Sequence, residues 1–145
     1  MQQRTVDSLR DWFRQCPYIE RNVFFGVDNL GNNPTEYAIY LTPSNLMTAT
    51  DITGETYVKT VQVLAFSFTS REKHPSDVLQ ALASHGFYSD VIEWIVEQNK
   101  KKNFPKIEEG TVTSIMPSQT QYLFEAGAST GRYQIPCKMK YRRNV

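Results

Sequence analysis

The sequence predicts an α+β domain with a mainly antiparallel sheet, an N-terminal helix and a central helical pair packed on one face. Three observations carry this reading: a helical apolar period near the start, strand-period segments on both sides of a long helical stretch, and turn residues between them. With 145 residues, the chain can bury about two-thirds of its unfolded surface. Residues 1–145 are therefore read as one domain that needs neither disulfide nor metal to fold.

From Thr5 to Gln15 the apolar Val6, Leu9 and Phe13 recur at steps of three and four, continued by Cys16 and widened by Trp12, with Arg10, Asp11 and Arg14 opposite. This is an amphipathic helix, and Pro17, with no N–H to donate, ends it. Val23 to Val27 reads as a short strand before the Asn, Gly and Pro turn chemistry of Asn29 to Pro34. Glu36 to Leu41 alternates, Tyr37, Ile39 and Leu41 against Ala38 and Tyr40, and Pro43 closes that strand. Leu46 to Glu55 is polar and separates two strand patterns, which suits a loop or an extended hairpin excursion.

Thr56 to Thr69 is long for one strand, and its apolar parity switches between Val63 and Leu64, predicting a bulge there or burial on both faces. Pro75, Ser76 and Asp77 form a helix start, and Gly86 is placed to end that helix. Ser89 then caps a second helix through Trp94 to Asn99, with the bend at Gly86 and Phe87. Lys100, Lys101 and Lys102 complement the dipole at its end. After a linker bounded by Pro105 and Gly110, strands are expected at Thr111 to Met116 and Gln121 to Phe124. In the last strand Tyr133, Ile135, Cys137, Met139 and Tyr141 face one way and Arg132, Gln134, Lys138, Lys140 and Arg142 the other. Pro136 assigns that strand to a sheet edge.

Sixteen Lys and Arg against fifteen Asp and Glu leave a net charge of +1, so any electrostatic partner must be selected by a local patch. No apolar stretch reaches the ~20 residues that span a bilayer. Gln2, Gln3 and Arg4 follow Met1 with no apolar signal core, so the chain reads as cytosolic, with no membrane partner and with Cys16 and Cys137 reduced.

Chemistry-bearing patterns are sparse. Cys16, His74, His85 and Cys137 lack the short spacing of a metal module, and no Gly-x-Ser-x-Gly elbow is present. Gly26 and Gly31 make no phosphate cradle, and Ala126 to Gly131 lacks a P-loop lysine. Glu93 and Glu97 suit a solvated helix face. The reading is a non-enzyme with no catalytic, cofactor or metal residues. A small enzyme with a pocket at His74 or His85 is the alternative from another class.

Charge asymmetry is greatest at the C-terminus, where no acid follows Glu125 while Arg132, Lys138, Lys140, Arg142 and Arg143 accumulate. Protection of an edge strand is the favoured explanation. Nucleic-acid binding and contact with an acidic neighbour are the others. Met47 and Ile52 in the polar excursion, together with Arg132, Lys138, Lys140, Arg142 and Arg143, are candidate assembly contacts.

The run FSFTSREKHPSDVLQALASHGFYSDVIEWIVEQNKKKNFPKIEEG, followed by YLFEAGASTGRYQIPCKMKY, resembles the tail terminator (minor capsid, tail completion) family of long-tailed phages and prophages. The matched features are the aromatic strand ending in Ser70 and Arg71, the Gly86-Phe87-Tyr88 junction, the Trp94 helix and the Ala126-Gly127 to Arg132-Tyr133-Gln134-Ile135 segment. The Leu9, Arg10, Trp12, Phe13 helix and the Glu36-Tyr37-Ala38-Ile39 strand fit as well. The resemblance implies a ring, usually hexameric, at the tail-neck junction of the virion, assembled in the host cytoplasm. Such a ring caps the tail tube, ends its growth and offers the joining surface to the head. The implied partners are further copies of the chain, the major tail tube protein and a connector or stopper, with DNA passing through the lumen. No cofactor and no catalytic residues come with it. Another neck component, a connector or stopper, is the nearest alternative.

Overall fold

In chain order the elements are helix α1 (Gln3–Phe13), strands β1 (Phe25–Val27), β2 (Glu36–Leu41), β3 (Thr48–Thr50), β4 (Thr56–Val58) and β5 (Val61–Lys73), helix α2 (Val78–Lys101), and strands β6 (Gly110–Pro117), β7 (Gln121–Phe124) and β8 (Thr130–Arg143), as seen in a computed structural model. The structure describes residues 3–19, 23, 25–27, 36–42, 45–73, 78–117, 121–124 and 130–144, with side chains described except at 3, 4, 72, 73, 78–85, 121–124 and 130–133. The expected turn at Asn29 to Pro34, the closing Pro43, the helix start at Pro75 to Asp77, and His74 lie outside the described residues, as does the side chain of His85.

Alternating β-branched and aromatic residues favour long strands, and here β5 and β8 pair antiparallel without interruption from Val61↔Arg142 to Lys73↔Thr130. The main sheet runs β1-β2-β5-β8-β6, with β7 also on β8. The β1–β2 pair is parallel and the other pairs are antiparallel. Leu64, Phe66, Phe68 and Ser70 of β5 point into the core, beside Ile135, Cys137, Met139 and Tyr141 of β8.

Both helices reach these inward side chains. Phe13 of α1 stacks on Phe68, with ring centroids 4.9 Å apart, and meets Phe66 edge-on; Tyr88 of α2 also contacts Phe68. Trp12 packs against Trp94 at 4.7 Å, and its indole Nε1 donates to the Asn103 carbonyl at 2.9 Å. Removing one such buried ring costs about 3–5 kcal/mol.

Three expectations need correction. The central helical pair is one continuous helix, with Gly86 and Ser89 inside it. A glycine in a helix interior costs about 1 kcal/mol, less than is gained by burying Tyr88, Val91 and Ile95. The helix instead stops at Lys101, where Lys102 turns left-handed (φ 57) and Asn103 N–H and Lys102 N–H donate to the carbonyls of Gln98 and Asn99. That is a Schellman closure with lysine in the position glycine usually takes.

Second, the register shows no bulge between Val63 and Leu64. Val61 and Val63 keep the outward parity of β5 while Leu64, Phe66 and Phe68 face the core, so the switch reflects the two faces of one regular strand, and β4 ends before β5 begins, at Lys59 and Thr60. Tyr57 and Val58 thereby leave the core strand, while Gln62 takes an inward position. The observed irregularity lies in β6, between Val112 and Ser114.

Third, β8 is an interior strand, between β5 on one side and β6 and β7 on the other. Pro136 is accommodated because β6 pairs with β8 from Cys137 onward and β7 only up to Gln134, leaving a gap opposite it. The Arg143 N–H donates to Thr60 on the β5 side, and the Lys140 carbonyl accepts from the Thr113 hydroxyl on the β6 side. Backbone direction alternates along a strand, so the N–H that Pro136 lacks would face that gap.

Candidate functional site

The predicted assembly residues fall into two groups. Met47 and Ile52 belong to a two-stranded hairpin in which Thr48↔Val58, Ala49↔Tyr57 and Thr50↔Thr56 pair. Met47 sits at its base, and Ile52 at its tip is as exposed as in an extended chain, at 105%. Asp51 builds the turn: its Oδ1 accepts the Thr53 N–H at 2.9 Å, the Glu55 N–H at 3.1 Å and the Thr53 hydroxyl. The Thr53 hydroxyl above all holds the Asp51 carboxyl below its ordinary range. Gly54 takes the positive φ of 88° that closes the turn.

The hairpin is fastened at its base by Gln62. The Gln62 Oε1 accepts the Met47 N–H at 2.7 Å, and its Nε2 donates to the carbonyls of Met47 and Lys59. Sequence reasoning missed this residue, although a glutamine at an inward strand position was a signal that the side chain is consumed locally. It also missed Tyr57 and Val58, which are exposed here. Among the described residues, six of the nine exposed large apolar side chains lie between Leu46 and Val61, so the described apolar surface is concentrated at this arm.

Lys138, Lys140 and Arg142 are exposed on the outer face of β8. Since β8 is interior, protection of a sheet edge does not explain them. Their cross-strand neighbours are Ala65, Val63 and Val61 on β5, with Met116, Ser114 and Thr111 on β6. Arg143 has the opposite parity and is half-buried, so it does not join this stripe. Arg132 sits opposite Arg71 in register, and its side chain lies outside the described residues. The hairpin and the stripe adjoin at one end of the sheet, where Val61 pairs with Arg142 and Thr60 accepts the Arg143 N–H.

A groove of about 430 Å³ lies on the far side of the helical layer, lined in part by Tyr18, Asp90, Glu93, Trp94 and Glu97. Among the described residues no three His, Cys, Asp or Glu side chains gather as a metal site. Cys16 and Cys137 are buried, and burial pushes their thiols up to about 11 and about 12, so neither is a ready nucleophile. No described helix is long and apolar enough to cross a membrane.

No family model and no curated protein matches the chain. Among solved structures, it is similar to a chain described as "Virion of native gene transfer agent (GTA) particle", with a TM-score of 0.53 and 13% identity over 97% of this chain and 99% of that one. At this identity the likeness is one of fold, and it extends over the full length of both chains.

Proposed function

We propose that the protein is a structural component of a phage-type particle, and that its copies form a ring at the tail-neck junction. The ring caps the tail tube, ends its polymerisation and offers the joining surface to the head. The observation that carries this reading is the fold likeness, over nearly the full length, to a chain of a virion particle, and the residue pattern resembling tail terminators supports this position within the particle. Two uncovered surfaces, the apolar hairpin and the basic stripe, suit a subunit that completes its packing against neighbours. Its partners are further copies, the tail tube protein below and a connector or stopper above. Any basic side chain facing the lumen would meet DNA through phosphates and without base reading, as passage requires.

Negative-stain microscopy of a lysate from the parent element carrying an early stop codon in this gene tests the proposal. Overlong or ragged tails separated from filled heads are expected. Tails of normal length lacking only heads would reassign the protein to the connector or stopper, and fully normal particles would overturn the structural role.

A further inference from the structure

We propose that the basic outer face of β8 and the acidic groove beside α2 are the two halves of one contact between neighbouring copies of this chain. The inference rests on the ring reading and names the faces that meet in it. Lys138, Lys140 and Arg142 stand on alternate residues of a strand, so the stripe is about 13 Å long. None of the three has a described ion pair or other polar side-chain partner. Three like charges this close repel one another, and a partner that supplies carboxylates removes the repulsion.

The matching surface is on the same molecule. Asp90, Glu93 and Glu97 lie at steps of three and four along α2, on the side opposite Tyr88, Val91 and Ile95 in the core. They form a stripe about 10 Å long. Within the chain, Glu97 reaches Lys101 at 3.9 Å, an exposed pair, while Asp90 and Glu93 have no described ion pair. Lys101 also lines the groove, so the groove's net charge is negative by two, and three carboxylates over about 10 Å, one of them shared with Lys101, face three cations over about 13 Å, a difference that flexible lysine and arginine side chains span.

Apolar surface is matched as well. Val61 and Met116, exposed by 45% and 55%, flank the cations, and Tyr18, exposed by 50%, lines the groove with Trp94. Because the stripe is on the outside of the sheet and the groove on the outside of the helices, each copy gives one face and receives the other. Such a heterologous contact propagates from copy to copy and closes into a ring when the rotation permits.

Charge exchange tests the pairing on the full chain, by sedimentation velocity in low salt up to about 1 mM. Wild type is expected to associate and to dissociate as salt is raised, since screening acts within about 10 Å at 0.1 M. The triple reversal Lys138→Glu, Lys140→Glu, Arg142→Glu and the triple reversal Asp90→Lys, Glu93→Lys, Glu97→Lys should each weaken association by about tenfold or more. An equimolar mixture of the two should recover it, because each variant then meets its complement. If the half-buried Asp90→Lys prevents folding, Glu93→Lys with Glu97→Lys serves in its place.

The proposal is overturned if wild type stays monomeric throughout, if either variant alone associates like wild type, or if the mixture does not associate. Monomeric wild type that binds labelled duplex DNA through the basic stripe would also overturn it and assign the stripe to phosphates. Should the pairing fail while the stop codon still yields overlong tails, the capping role stands and only this choice of faces is lost.

Discussion

At the scale of single residues, Cys16 and Cys137 show how burial controls chemistry. Their thiols titrate near 11 and near 12 against 9.0 for the free group, desolvation by burial being the main cause of both shifts. A folded value raised above the unfolded one favours the native state fully below pH 9, and the contribution is lost as pH rises toward 11 and 12. Two results follow: native protein at pH 8 should resist iodoacetamide at both cysteines while urea-unfolded protein reacts at both, and melting temperature should fall as pH climbs above 9. Fast native labelling of either cysteine would contradict the burial. The apolar parity of both residues was legible in the sequence. The role of Gln62 was not, because its three partners at Met47 and Lys59 belong to a turn whose geometry is set by strand pairing.

Elements were legible where turn residues or a regular alternation bound the segment. The segment boundaries of β2 and β7 agree with the sequence reading residue for residue, and the inside-outside alternation of β8 is as read through the described positions 135–142. Whether β8 lies at an edge or in the interior is a property of its partners, and both positions give the same alternation; Pro136 misled because a gap between β6 and β7 serves a proline as well as an edge does. Gly86 misled in a similar way, since a glycine marks a helix end only when the chain beyond it has nothing helical to bury. Two glycine substitutions separate these cases. Gly86 is exposed, and a methyl group there would meet nothing within 4 Å, so Gly86→Ala should stabilise the protein by about 0.5–1 kcal/mol. At Gly110 the added carbon would come within 2.0 Å of the Arg142 carbonyl oxygen, so Gly110→Ala must move backbone and should cost about 1–3 kcal/mol. Urea denaturation of both variants checks the opposite signs; destabilisation by Gly86→Ala would mean that α2 is broken at that position after all.

Across the whole molecule, closure depends on contacts that no local pattern announces: the Thr5 hydroxyl donates to Glu109, across 104 positions of sequence, and Trp12 reaches Asn103. The α+β class was legible because helix and strand periods differ, whereas the order of strands and the fusion of the two expected helices depend on tertiary burial. One consequence concerns the hairpin, which adds apolar surface to the outside and nothing to the core. A two-stranded ribbon of this kind is at best marginally stable without a third partner, so its value to the molecule should lie in assembly rather than in folding. Met47 and Lys59 are already joined at its base, the Lys59 N–H donating to the Met47 carbonyl at 2.9 Å, so an Asn-Gly turn can replace residues 48–58 without moving the sheet. The shortened protein should melt within about 4 °C of the wild type, and a parent element carrying it should show the same tail defect as the stop codon. A collapse in melting temperature would make the hairpin part of the fold, and intact particles with the fold preserved would remove it from the assembly contacts.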